Sequence, residues 1–526
     1  MGEVAIQRPS ECAAYLWALL GVCILILLGG GHHVCALGFA LVLPGVALLL
    51  QPPQRSLGKW IDVGIVGMLG VMLFAFVPMS YWQEPVWRTT AIDVFGIELP
   101  AVLTVQPWMS FEAFLLAIAG FSWLYAAGNW KVNVEGRRKI YFAVSCAISL
   151  FATIVILGNL YGWRYPGAKD STAFSFFPNR NQTVDFIAIG GVLAFGYSME
   201  GLRGKKLSHV VGLVASLLSL LALISGLSRA GVMLYFGGIF LWLIFILRRT
   251  AASHFLKIGL PIVLLFFSFF ITSHDTAVTR TTELISSSAN WGSDFRVLMF
   301  RDTLKMIQDA PLTGVGLGNF STIFPQYRNL SRTEHNVVHP ESDLTWLATE
   351  GGLVVILFLA ILIVSYFRKC RASMNGRSGA YRTIALIGVI MFLVHGLFDV
   401  SGHRPGTAYF AIIFAALALP NPLKNRPTFK PVIWRCLGAG LLFIGVLWII
   451  GGLFYLPTHS TMALDIEESR AVESRSLHDL DRASQAVDAV IALQPMQWRG
   501  YFQRAQIALS RGGDRFEVEQ DFRRAR

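Results

Sequence analysis

The sequence predicts an all-α polytopic membrane protein with about 12–13 transmembrane helices, a large helical loop on the outer side and a C-terminal helical segment resembling a tetratricopeptide repeat. Three observations predict it. The 526 residues are 54% hydrophobic and only 14% charged, with a mean hydropathy of +0.56, too apolar for a soluble chain of this length. Apolar runs of membrane length recur along the chain, and basic residues cluster in alternate connectors between them.

Runs of roughly 17 to 25 apolar residues lie near 12–29, 34–50, 60–79, 108–128, 140–161, 183–199, 209–228, 231–247, 258–273, 351–367, 383–398, 407–420 and 433–455. The first has no small-residue cleavage site after it and a second run follows closely, so it reads as a span and not as a removed signal peptide. Connectors holding Arg55/Lys59, Arg137/Arg138/Lys139, Arg203/Lys205/Lys206, Arg248/Arg249, Arg368/Lys369/Arg371 and Lys424/Arg426/Lys430 alternate with poorly basic ones. By the positive-inside rule the N-terminus is cytoplasmic, and the loops at 80–107, 163–182 and 273–350 lie outside, as does everything after Leu456. The net charge of +12 is thereby accounted for by topology, and a nucleic-acid partner is not expected. Six cysteines (Cys12, Cys23, Cys35, Cys146, Cys370 and Cys436) all fall in or beside spans without metal-ligand spacing, which excludes a cysteine nucleophile in the outer loops.

In the first outer loop Trp82, Trp87 and Trp108 read as interfacial, because indole rings favour the headgroup level. The second ends in Phe176-Phe177-Pro178-Asn179-Arg180-Asn181, with an arginine bracketed by two asparagines where the chain re-enters the membrane. Spans 209–228 and 231–247 are joined by Ser228-Arg229-Ala230-Gly231 alone. So tight a turn holds Arg229 at the outer face, either as a snorkelling side chain or as an anion ligand, since a guanidinium fork suits phosphate.

The large outer loop carries most of the candidate chemistry. Phe295 to Met306 has helical spacing and includes Arg296 and Arg301; the turn Pro311-Leu312-Thr313-Gly314-Val315-Gly316-Leu317-Gly318-Asn319-Phe320 follows. Its glycines resemble a phosphate-cradling loop in outline, but it lacks the full G-x-G-x-x-G pattern and a preceding strand. A loop that brings backbone near a ligand or a neighbouring helix is the more modest expectation. His339-Pro340-Glu341-Ser342-Asp343 then opens a helix running to Glu350, with proline at the first helical position and acids in the first turn. His339 at its mouth is suited to accept a proton near neutral pH; Glu341 and Asp343 serve either the helix start or the site. A second polar group comprises His395, Asp399, His403 and Arg404. His395 and Asp399, four apart, are expected to pair on one helical face, with interhelical polar packing and a metal site as the competing readings.

After Leu456 the composition turns charged and helix-forming. Ala483, Ala486, Val487, Val490 and Leu493 mark one apolar face, Pro495 closes it, and Trp498, Tyr501, Phe502 and Ala505 begin another, as in a helix-turn-helix repeat unit of about 34 residues. A lone repeat leaves a face uncovered, so either a partner protein of the cell envelope covers it or the natural chain continues past Arg526.

These pieces in this order resemble the O-antigen ligase and O-antigen polymerase superfamily of bacterial envelope glycosyltransferases, over roughly residues 60 to 420. The matching elements are Pro178-Asn179-Arg180-Asn181, Ser228-Arg229-Ala230-Gly231, the stretch from Arg296 to Phe320, and His339-Pro340-Glu341-Ser342-Asp343 followed by Glu350-Gly351-Gly352. The resemblance implies transfer of a glycan from an undecaprenyl-diphosphate carrier to an acceptor hydroxyl, with inversion and without a metal or other cofactor, at the outer face of the bacterial inner membrane. On this reading residues 1–456 form the glycan-transferase domain among inner-membrane lipids, and 457–526 form an added segment outside. Arg229 and Arg296 bind diphosphate, with Arg180, Arg301, His335, His403 and Arg404 as further substrate-binding candidates. His339 takes the proton from the attacking hydroxyl, oriented by Glu341 or Asp343. The His-Asn pair common in ligases occurs here as His335-Asn336, slightly upstream, which leaves two histidines for the base. The acceptor is lipid A core for a ligase, a growing glycan for a polymerase, or a protein hydroxyl for an oligosaccharyltransferase. A flippase for the same lipid-linked sugars is the competing class, but the chain shows neither internal repeats nor midplane charge pairs of the kind transporters use. A scaffold acting through the C-terminal segment would leave the arginines and His339 without a role.

Overall fold

The structure is a computed structural model that describes residues 11–165, 173–202, 207–226, 228–247, 295–331, 337–372, 374, 378–421 and 429–525. Twelve of the predicted spans are apolar helices: α1 (Glu11–Leu27), α2 (Val34–Leu50), α3 (Lys59–Met72), α4 (Pro107–Asn129), α5 (Val134–Leu160), α6 (Arg180–Leu202), α7 (Val210–Ser225), α8 (Arg229–Leu247), then α10 (Asp343–Arg371), α11 (Gly379–His395), α12 (Pro405–Ala418) and α13 (Pro431–Phe454). Helix α9 (Phe295–Asp309) lies between α8 and α10 in the chain. The run expected at 258–273, and His335 with it, fall outside the described residues. Proline opens α4, α12 and α13, where its missing N–H costs no helical bond. Asn133 caps α5 by accepting from the Gly136 N–H at 2.7 Å.

Close helix approach is set by small residues, as expected where lipid removes the hydrophobic drive between helices. Helices α2 and α13 run antiparallel with Gly38 against Gly445 and Gly45 against Gly438. A Cβ on Gly445 would stand 2.6 Å from the Gly38 carbonyl oxygen, and one on Gly38 would stand 2.5 Å from that of Gly445. Gly445→Val is therefore expected to lower the thermal midpoint of the detergent-purified protein, as tryptophan fluorescence would show; an unchanged midpoint would mean that the helices part without cost.

The described basic connectors around Lys59, Arg137 and Lys369 meet at one end of the bundle. The buried Arg137 guanidinium donates to the Leu417 carbonyl, Lys369 Nζ donates to the Leu57 carbonyl, and the Tyr141 hydroxyl donates to the Tyr381 carbonyl at 2.7 Å. At the opposite end a polar layer is built from α9, the 311–331 segment and the 80–107 loop. Its core joins Trp87, Val105, Met299, Met306, Phe320 and Phe324. Trp87, expected at the headgroup level, is only 2% exposed, because its indole fills the gap between that loop and α9. The buried Asp302 carboxylate accepts from Leu330 N–H, Ser331 N–H and Ser331 Oγ, each at 2.9 Å, and so ties the 330–331 turn to α9. Asp302→Ala, which leaves those three donors unpaired, is expected to cost about 2–4 kcal/mol, read as a shifted unfolding midpoint.

The C-terminal segment forms α14 (Ser460–Ser476), α15 (Leu480–Leu493), α16 (Trp498–Ser510) and α17 (Arg515–Ala525), each packing on the next. Ala483, Ala486, Val487 and Val490 are buried as the apolar face of α15 requires. The chain itself covers part of the second face: Tyr501 packs with Ala91 and Ile97, and the Arg524 guanidinium donates to the Phe95 carbonyl at 2.7 Å. His459 and Ser460 anchor the segment's start on Glu112 of α4, where the Ser460 N–H donates to the carboxylate at 2.7 Å.

Candidate active site

The candidate site is assembled where α10, α11 and α12 end in the polar layer. Helix α10 starts at Asp343, not at Pro340. Ser342 is its N-cap, extended at φ −158° and ψ 127°, with Oγ 3.5 Å from the Thr345 N–H it accepts. The chain before it turns through Glu341, whose φ of 53° is left-handed, a conformation costing about 1–2 kcal/mol for a residue with a side chain. That turn brings His339 and Glu341 together: Nδ1 of the imidazole lies 3.4 Å from Oε1 of the carboxylate, and Arg296 Nη2 lies 3.9 Å from its Oε2. Burial, helped by Arg404 and His403, pushes the His339 imidazole down to about 4. Burial raises the Glu341 carboxyl, with Asp399 adding to the shift and Arg296 opposing it. Burial also lowers the Arg404 guanidinium, against the pull of Asp399 and Asp343.

Asp343 does not face His339. Its Oδ1 meets His403 Nδ1 at 2.7 Å and its Oδ2 accepts from the Gly402 N–H at 2.7 Å, while its own N–H donates to the Gly396 carbonyl at 2.8 Å. His403 in turn stacks flat on Trp346, with ring centroids 3.8 Å apart and planes 4° apart, and Trp346 stacks against His339 at 5.7 Å. By contact Asp343 is linked to His339 through His403 and Trp346, and by its charge it also partly offsets the lowering of the His339 imidazole. Asp343→Asn is expected to lower turnover by up to about 10²-fold through lost positioning, with Michaelis constants little changed; an unchanged turnover would remove this role.

His395 and Asp399 do not pair through their side chains. Helix α11 ends at His395, so Asp399 lies in the following turn and meets it only through the backbone, Asp399 N–H to His395 carbonyl at 3.0 Å. The His395 side chain instead bonds Ser401 Oγ at 2.9 Å and lies 3.5 Å from Asp185 of α6. Among the described residues no group of three or more His, Cys, Asp or Glu is arranged to hold a metal ion.

The glycine turn has a use different from a phosphate cradle. Gly352, at φ 70° and ψ −177°, interrupts the helical geometry of α10 and frees the carbonyls before it. The Val315 N–H donates to the Thr349 carbonyl at 2.9 Å and the Gly316 N–H to the Glu350 carbonyl at 3.0 Å, while the Leu353 N–H is taken by Pro311 at 2.7 Å. The turn thus replaces the interrupted ladder, and the buried Glu350 carboxylate closes it by accepting from the Phe320 N–H at 3.2 Å.

Arg180 does not join this cluster; it lines a small cavity with Thr183, Leu223 and Gly226, beside the turn that leads to Arg229. Arg229 opens α8, where the Val232 N–H returns to the Ser228 carbonyl at 3.2 Å. Arg301 is exposed on α9. The sequence reading passed over Trp346, Ser401 and Asp185. Asp185 carried a usable signal, an acid alone within an apolar span; the other two carried none.

Residues 214–360 match the family described as O-antigen ligase. Over these residues the chain is similar to the O-antigen ligase and polymerase superfamily. The matched span holds Arg229, Arg296, Arg301, His335, His339, Glu341, Asp343 and the Gly352 break, and it ends before His403 and Arg404. The match indicates glycan transfer of the O-antigen ligase or polymerase type, and the long apolar helices indicate a multi-pass membrane protein. No curated protein matches this chain.

Proposed function

We propose that the protein transfers a glycan from an undecaprenyl-diphosphate-linked donor to an acceptor hydroxyl, at a site facing the periplasm. The observation that carries the reading is the His339–Glu341–Arg296 group, a neutral imidazole beside a carboxylate and a guanidinium at the membrane end of the polar layer. With Glu341 on the Nδ1 side, Nε2 of His339 is the nitrogen left for the acceptor. The hydroxyl oxygen attacks the anomeric carbon as its proton passes to Nε2. The bond from that carbon to the diphosphate oxygen breaks, and its electron pair leaves with the phosphate. A single displacement of this kind inverts the anomeric centre. Arg296 and Arg229 are the diphosphate ligands in this reading, since fixed guanidinium groups stabilise the charge that develops on the leaving group; Arg180, Arg301 and Arg404 are secondary. The 457–525 helices, docked on the 80–107 loop, would shape access for the acceptor or an envelope protein partner.

The test is the set of glycans left on the carrier lipid in a strain lacking the protein. Single repeat units would identify a polymerase and long chains a ligase, and an unchanged pool with unchanged products would remove the assignment. Arg296→Ala should weaken donor binding by roughly tenfold or more, with Lys restoring only part, because a guanidinium–phosphate contact is charge-assisted and often two-pronged. Equal binding in both variants would remove the arginine from the diphosphate site.

A further inference from the structure

A groove lies at the other end of the bundle from His339, at its basic end, between α3 and α10. The two helices touch deeper in the bundle, where a Cβ on Gly64 would stand 2.8 Å from Leu362 Cβ and one on Gly67 would stand 2.1 Å from the Phe358 ring. From there towards the basic end a wedge of about 700 Å³ runs along them, reaching Lys59 on one side and, on the other, Lys369, whose ammonium also donates to the Leu57 carbonyl. Its lining is graded along α10. Ala360, Ile361 and Val364 form an apolar wall, half-buried at Ile361 and exposed at Ala360 and Val364, and Arg368 and Lys369 stand at the rim with Lys59. Trp60, 59% exposed, flanks the opening, with Lys59 Nζ 5.8 Å from its ring centre. The carboxylate of Asp62, three residues from Lys59, accepts instead from the Tyr125 and Ser56 hydroxyls. The rim is thus cationic without a local counter-charge from that residue.

We propose that this wedge binds an anionic phospholipid, its phosphoglycerol headgroup against Lys59, Arg368 and Lys369 and an acyl chain along Ile361 and Val364. The order of polarity selects this occupant. A soluble anion would need the cations but not the apolar wall, and a neutral lipid would need the wall but not the cations. Basic pockets between membrane helices on the cytoplasmic side suit such headgroups, and each cation contributes roughly fivefold in affinity. The inference is independent of the glycan-transfer reading.

The test is native mass spectrometry of the full chain in detergent, titrated with phosphatidylglycerol or phosphatidylcholine. At least tenfold preferential retention of phosphatidylglycerol is expected. That preference should fall to near parity in Lys59→Gln/Arg368→Gln, while Ile361→Trp, which fills the wedge and keeps every cation, should lose bound lipid altogether. Equal retention of the two lipids, retention unaffected by both variants, or displacement by millimolar inorganic phosphate would overturn the proposal, the last by revealing a free-anion site. Should the double variant not fold, Ile361→Trp and Arg368→Gln alone decide the matter.

Discussion

His339→Ala is expected to lower glycan transfer by about 10²–10⁴-fold, the usual worth of a positioned general base, while leaving protein abundance and the unfolding midpoint near those of the parent. The assay is transfer in vesicles supplied with lipid-linked glycan. Full activity in this variant, with loss in His335→Ala, would move the base to His335. The pH dependence gives a second check. Because burial holds the His339 imidazole near 4, below the ordinary value of about 6.5, its neutral, proton-accepting form persists well below neutrality. The acid limb of the rate profile due to this group should therefore lie near pH 4 and not near pH 6.5. The same depression links to stability. Between about pH 6.5 and 4 the unfolded chain binds a proton at this position that the folded chain refuses, so stability is complete above 6.5 and is lost as pH falls towards 4. His459, pushed down to about 4 by burial, acts in the same direction. His339→Gln should flatten this part of the stability profile; an identical profile in parent and variant would contradict the buried, neutral imidazole.

The second large effect is expected from Gly352→Ala and Gly314→Ala. Both glycines are left-handed, at φ 70° and 66°, and both sit where backbone passes against backbone. A Cβ on Gly352 would lie 2.3 Å from the Leu312 carbonyl oxygen, and one on Gly314 would lie 2.4 Å from the Glu350 carbonyl carbon. Strain at a left-handed position costs about 1–3 kcal/mol, and the clash must be relieved by separating the turn from α10. Separation also frees the Thr349 and Glu350 carbonyls, each about 1–3 kcal/mol to leave unpaired when buried. A loss of about 3 kcal/mol or more is expected for each substitution, read as a large drop in the unfolding midpoint or as failure to accumulate in the membrane. Parent-like stability in both would mean that the turn does not support the helix break.

Much of the architecture was legible because membrane burial writes itself locally. Twelve apolar runs from 12–29 to 433–455 became helices near where hydropathy placed them, and the described basic connectors around Lys59, Arg137 and Lys369 lie at one end. Local rules also located the motif that carries His339, Glu341 and Asp343, the helix that carries Arg296, and the buried stripe of α15. They misplaced the start of α10, because Pro340 imitates a helix opening that the left-handed Glu341 delays to Ser342. They placed Trp87 at the headgroup level, since a tryptophan in an outer loop looks the same whether its partner is lipid or the core beneath α9.

The sequence by itself determined which segments are apolar helices and which polar segments join them; helical period, apolar length and charge alternation are properties of neighbours in the chain. Only the tertiary structure decided who meets whom. Asp343 went to His403, 60 residues away, and not to His339 four residues before it. His395 turned to Asp185 and Ser401 and left Asp399, and the glycine turn was used to mend α10. Each of these is a pairing between separate helices or loops, fixed by where glycines let backbones approach and by where a buried polar group finds its partner. Spacing along one segment does not encode such a choice.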